Sequence, residues 1–142
     1  MKTLMCLSVF ALTAILALPA AHAEEHNEHF VKCAKECNAC EMQCNQCFKY
    51  CLEQAGSGKS EHAKVGKLCA NCAEICNACS VLCARECGHS VWIIECCANY
   101  CEACGKECGK MEGDKTMEAC AKACLSCAKE CRQMAMKTSK DK

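Results

Sequence analysis

Proline is all but missing from this chain. The single proline is Pro19, so nothing after it must interrupt a helix. Aromatic side chains make up only 4% of the 142 residues. Past the first 23 residues the large aliphatics thin to a scatter that includes Leu52, Leu68, Leu82 and Leu125. That scarcity excludes an ordinary hydrocarbon core. An excess of either charge is missing too, since 17 basic and 17 acidic side chains cancel. A neutral balance removes the electrostatic case for a nucleic acid or an anionic membrane as partner. No second apolar run of about 18 residues follows the N-terminal one, so the body of the chain carries no membrane span. What is abundant is cysteine, 22 residues of it. The 52% hydrophobic share is largely cysteine and alanine, so sulfur has to fill the core.

Residues 1–23 read as an export signal. Lys2 gives a short positive start, Leu4 to Leu18 is apolar but too short for a span, and Ala21-His22-Ala23 is a small-x-small cleavage motif. Cleavage after Ala23 predicts an exported, periplasmic protein with one domain over residues 24–142. Cys6 falls in the removed segment, which leaves 21 cysteines, and none sits just past the cleavage point as a lipid anchor requires.

The remaining cysteines are spaced by rule. C-x3-C-x2-C-x3-C occurs four times: Cys33-Cys37-Cys40-Cys44, Cys72-Cys76-Cys79-Cys83, Cys97-Cys101-Cys104-Cys108 and Cys120-Cys124-Cys127-Cys131. Cys47 and Cys51 extend the first seam, Cys69 and Cys87 extend the second, and Cys96 stands beside Cys97 in a different direction. Steps of four and three keep residues on one face of an α-helix and average the period of a left-handed bundle seam. Ala, Lys, Glu and Gln, all good helix formers, dominate the gaps. The pattern predicts an all-α fold, an antiparallel four-helix bundle with a cysteine-lined core and helices near 27–55, 60–87, 90–110 and 115–136. Gly56-Ser57-Gly58, Gly88 and Gly109 to Gly113 supply the turns. Ser57 or Ser60, Ser90, and Asp114 or Thr116 are the candidate N-caps.

Sulfur at this spacing has several chemistries open to it. An exported, cysteine-dense chain is normally a disulfide scaffold. Within one helix, however, neighbouring Cβ atoms lie about 5 to 6 Å apart, against roughly 3.5 to 4.5 Å in a disulfide. An odd total also leaves a cysteine unpaired, so only bridges between helices remain. Iron–sulfur ligation draws on loops rather than unbroken helical periodicity. Metal thiolates fit the distances, because a linear S–metal–S unit spans about twice a bond of ~2.3 Å. Soft thiolates select Cu(I), which two or three of them satisfy, whereas Zn(II) wants four in a tetrahedron and parallel seams promise few isolated tetrahedra. Buried thiolates need compensating charge. One bridging Cu(I) per thiolate cancels it along the whole tube, so many Cu(I) ions per chain are expected. A disulfide-stapled structural or redox protein and a metallothionein-like zinc or cadmium buffer stay open as alternatives. No catalytic base accompanies the thiols, so the chain reads as a binding protein and not an enzyme.

Four such repeats on helices behind an export signal resemble the cysteine-lined four-helix-bundle copper storage proteins of bacteria. The likeness covers Cys33 to Cys131. It implies a homo-oligomeric bundle whose core cysteines hold Cu(I) for storage, detoxification and later delivery to copper enzymes or chaperones.

Both ends of the tube carry candidates. His62 before Cys69, Met111 after Cys108 and Met117 before Cys120 converge at one mouth as further metal ligands. Phe30, Trp92, Ile93 and Met134 gather at the other as an apolar stopper. Trp92, Ile93 and Ile94 also stand as a candidate subunit contact. His26 and His29 lie in a polar N-terminal stretch.

Overall fold

The computed structural model describes residues 18–139, with side chains from residue 28 onward. Four helices follow one another, α1 (Leu18–Gly56), α2 (Glu61–Ala84), α3 (Val91–Cys108) and α4 (Lys115–Thr138). Contacts run α1 to α2, α2 to α3, α3 to α4 and α4 back to α1. Short turns make each neighbour antiparallel, so the predicted four-helix bundle is the observed one. Cys6 and the side chains of the Ala21-His22-Ala23 motif and of His26 lie outside the described residues. The backbone of α1 nonetheless begins at Leu18 rather than near 27.

The bundle forms because every helix buries one stripe. On α4 that stripe includes Met117, Cys120, Ala121, Cys124, Cys127, Ala128, Cys131, Met134 and Ala135, stepping by three and four. Cysteine is small, so the helices have to approach closely to fill the space between them. Gly66 and Gly105 permit this. A Cβ on Gly66 would stand 2.9 Å from Cys51 Cβ of α1, and one on Gly105 would stand 2.8 Å from Leu125 Cγ of α4.

Two termini differ from expectation. Helix α2 stops at Ala84 and not at Gly88, because Glu86 takes a left-handed conformation with φ 51°. Its amide bonds to Cys83 O, and that of Cys87 reaches Leu82 O, as in a Schellman closure. Glycine normally fills this position, and a side chain there is strained. Glu86→Gly is therefore expected to raise apo stability by up to about 1 kcal/mol, read from the urea midpoint.

Ser60 and Ser90 occupy the N-cap positions of α2 and α3, yet neither hydroxyl caps. Their backbones are already helical, at φ −61°, ψ −25° and φ −79°, ψ −4°, whereas a capping side chain needs extended backbone. Asp114 has it, at φ −94°, ψ 103°, and its carboxylate accepts from the Thr116 and Met117 amides at 3.0 and 3.2 Å.

Candidate metal centre

Nineteen of the twenty-one described cysteines are buried, and all are free thiols. Sulfur meets sulfur along the whole axis. Cys44 lies 3.4 Å from Cys124, Cys76 lies 3.4 Å from Cys101, and Cys69 lies 3.6 Å from both Cys47 and Cys104. Diagonal contacts close the centre, with Cys40 at 3.8 Å from Cys101 and Cys37 at 3.9 Å from Cys97. Along single helices the i, i+4 pairs Cys40–Cys44, Cys97–Cys101 and Cys127–Cys131 stand 3.8 to 3.9 Å apart. Three thiolates around one metal at ~2.3 Å stand about 4.0 Å apart. The lattice therefore already has the spacing for three-coordinate thiolate, and a small rotamer change opens a pair to a linear site.

Four-sulfur groups are more numerous than the seams suggested. Cys33, Cys37, Cys79 and Cys131 form one within 4.8 Å, and Cys37, Cys97, Cys127 and Cys131 another. Further groups are Cys40, Cys44, Cys72 and Cys124; Cys40, Cys72, Cys76 and Cys101; and Cys44, Cys104, Cys120 and Cys124. Each of these groups takes its sulfurs from three helices, so it is packing between helices that creates them. These groups are not isolated from one another, however, since they share cysteines in pairs.

Two cysteines stand apart. Cys96 is half-buried beside the fully buried Cys97, and Cys87 is half-buried in the turn after α2. The early stop of α2 takes Cys87 off the seam that its spacing from Cys83 implied. Cys83 and Cys108 end their seams as buried members.

At the mouth Met117 is fully buried, and its Sδ accepts contacts from Cys47 Sγ at 3.5 Å and Cys51 Sγ at 3.9 Å. His62 is 6% exposed and neither ring nitrogen has a hydrogen-bond partner. The nearest carboxylate oxygens are those of Glu61 at 3.7 Å and Asp114 at 3.9 Å, beyond hydrogen-bond range. Met111 packs half-buried against the same core from the α3–α4 turn. Sequence reasoning missed Tyr50, which stacks edge-on against His62 at 5.9 Å and donates from Oη to Asp114 Oδ2 at 2.5 Å. Burial pushes the Asp114 carboxyl up, but Tyr50, the Met117 and Thr116 amides and His62 together hold it below its ordinary value. Asp114 thus ties α4 to α1 directly over Met117. Asp114→Ala is expected to cost about 1 kcal/mol from the lost cap alone, with thermal unfolding as the measurement.

The far end is closed as expected by Phe30, Ile93 and Met134, all buried, but not by Trp92, which is 67% exposed. Ile94, fully buried, takes that place. Trp92 lies five residues before Cys97, on the outer face of α3, whereas Ile93 and Ile94 lie four and three before it. Ile93 and Ile94 are therefore core residues, and only Trp92 of that trio is offered to a partner. His29 is half-buried and meets Lys137 of α4.

Proton placement in the lattice is collective. Burial, followed by the nearby Cys47, pushes the Cys51 thiol up to about 12. Contacts headed by Cys127 push Cys101 up, and contacts headed by Cys104 push Cys120 up. Cys72 and Cys97 go the other way, because hydrogen bonds from neighbours, Cys101 first, favour their thiolates. A thiol that loses its proton is thus solvated by neighbours that keep theirs.

A four-helix bundle filled with contacting thiols, capped by a thioether and an unpaired imidazole, defines a thiolate metal-binding bundle. Comparison with known proteins narrows this class. The sequence profile of the copper storage protein (Csp) family matches residues 21–136, and the chain belongs to that family. It is 40% identical over 84 residues to the uncharacterised cysteine-rich protein YhjQ of Bacillus subtilis, a match covering 58% of this chain and 74% of the relative. Among solved structures it is similar to the Cu(I)-bound copper storage protein BsCsp3, with TM-score 0.68 and 36% identity over 75% of this chain and 98% of that one. It is likewise similar to a cytosolic copper storage protein from Streptomyces lividans carrying five coppers, with TM-score 0.74 and 27% identity over 80% and 97%.

Proposed function

We propose that this chain stores many Cu(I) ions on the thiolates of its bundle core. The observation that carries the reading is a core of nineteen buried thiols, most of them linked into one lattice by sulfur contacts of 3.4 to 4.0 Å. Cu(I) arriving at the mouth meets Met117, His62 and Met111, soft or borderline ligands. It then passes to Cys47, Cys51 and Cys69 and inward. At each step a thiol gives its proton to solvent, the thiolate takes the metal, and the +1 ion cancels the charge that burial would penalise. Cys33 through Cys131 supply the ligands, with Cys87 and Cys96 as peripheral ones.

This is a binding protein and not an enzyme. A thiol nucleophile needs a base at hydrogen-bond distance, and the His62 nitrogens have no such partner. Storage implies return, so copper enzymes or chaperones are the recipients. Trp92, with exposed Met42, Leu52 and Met136, supplies apolar surface for a homo-oligomer. Lys2, the apolar run and Ala21-His22-Ala23 support export to the periplasm. No described helix is long and apolar enough to cross a membrane.

The test is an anaerobic titration of the reduced chain with Cu(I) against a chromogenic chelator. A plateau approaching the nineteen buried thiols is the expected result. A plateau at a handful of ions, or none, overturns the reading in favour of disulfide or zinc chemistry.

A further inference from the structure

Among the described residues the interior holds no lysine or arginine to set against a thiolate. Every described lysine and arginine is exposed. The buried polar side chains are His62, Ser80, Ser90, Glu130 and Thr138, and Glu130, paired with Lys32 at 2.6 Å, adds a negative charge. Neutralisation of the core therefore falls to the metal ions themselves.

Geometry does not distinguish the candidate ions. A tetrahedron of ~2.3 Å bonds has sulfur–sulfur edges of about 3.8 Å, close to what the four-sulfur groups present. Connectivity does distinguish them. Neighbouring groups share an edge, which is Cys37–Cys131 in one case, Cys40–Cys72 in the next and Cys44–Cys124 in a third. Metal ions in two tetrahedra that share an edge stand about 2.7 Å apart. Two divalent ions repel fourfold more strongly than two monovalent ones at that separation. Divalent ions are thereby confined to groups that share no cysteine. Nineteen buried sulfurs make at most about four separate groups of four. Each isolated tetrathiolate also keeps a net charge of about −2 with no cation beside it. Monovalent ions escape both restrictions, because each shared thiolate gains a further +1 with every ion added.

We infer, resting on the storage reading above, that the lattice is a sink for monovalent soft d10 cations as a class, taking up Ag(I) to about the complement of Cu(I) while admitting only about four Cd(II) or Zn(II). The step is ligand exchange without redox. A thiol and Ag(I) give a silver thiolate, and the proton passes to buffer.

Three anaerobic titrations of the full, reduced chain, with Cu(I), Ag(I) and Cd(II) and native mass spectra at each addition, test this. The expected result is an Ag(I) plateau within a few ions of the Cu(I) plateau and at least threefold above that for Cd(II). A full Cu(I) complement with Ag(I) halting at a few ions overturns the inference alone, as does Cd(II) climbing to half the number of buried thiols. A low plateau for both Cu(I) and Ag(I) overturns the storage reading with it.

Discussion

Loading the reduced chain with Cu(I) is expected to raise its thermal midpoint by well over 10 °C. The apo bundle is built with little to spare. Its largest fully buried side chains are Phe30, Ile94, Met117 and Met134, and the rest of the axis is thiol against thiol. Such contacts are weak hydrogen bonds between small apolar groups. Copper replaces them with coordinate bonds that join helices distant in sequence, for instance α1 and α4 through Cys44 and Cys124, or α2 and α3 through Cys76 and Cys101. One site filled at a thousand times its Kd adds about 4 kcal/mol to the folded state. In a chain of this size each kcal/mol moves the midpoint by roughly 2 to 6 °C. A single saturated site thus accounts for about 8 to 24 °C, and a filled lattice exceeds it. Anaerobic melts followed by far-ultraviolet circular dichroism, with and without copper, make the comparison. An unchanged midpoint would mean that the metal sits outside the core.

Much of this architecture was legible in the cysteine spacing, because a seam of identical residues reports helix phase without ambiguity. The steps through Cys120, Cys124, Cys127 and Cys131 fix which face of α4 turns inward, and all four are fully buried. Phase fades where a seam runs out. Cys87 was placed on α2 by its distance from Cys83, yet the left-handed Glu86 ends the helix first, and a glutamate carries no turn signal that sequence would reveal. Trp92 was read both as part of the apolar stopper and as a subunit contact, and its register puts it outside; Ile94 has the right register for the stopper and the burial. The gathering of His62, Met111 and Met117 at one end was legible, but not the bond from Tyr50 to Asp114. That bond joins residues 64 positions apart and depends on how α1 and α4 cross. The same holds for the four-sulfur groups. Spacing within a helix says that sulfurs share a face, while only the packing of four helices says which sulfurs meet.

Lowering the pH from 8 to 5 is expected to weaken retention of copper by about a thousandfold for every ion whose binding displaces one proton. The sign follows from the apo thiols. Cys51 is pushed up to about 12 by burial, and Cys37, Cys101 and Cys120 are shifted in the same direction by their thiol neighbours. These groups are protonated throughout that range, so ligation releases their protons, and each pH unit changes the affinity by about tenfold per proton. The apo bundle responds at the opposite end of the scale. A group whose folded pKa lies above its unfolded value of about 8.5 stabilises the fold below that value, and the contribution drains away as pH rises to the folded pKa. For Cys51 the window of loss runs from near the unfolded value to about 12. The loaded protein therefore gives up copper in acid, while the Cys51 contribution to apo stability is lost in alkali. Chelator competition for the loaded form at pH 5, 6.5 and 8, with urea midpoints for the apo form from pH 7 to 10, measures the two slopes separately. Copper retention that is flat across pH would show that the metal is held by groups that carry no proton to lose, such as the Met117 thioether, and not by the buried thiols.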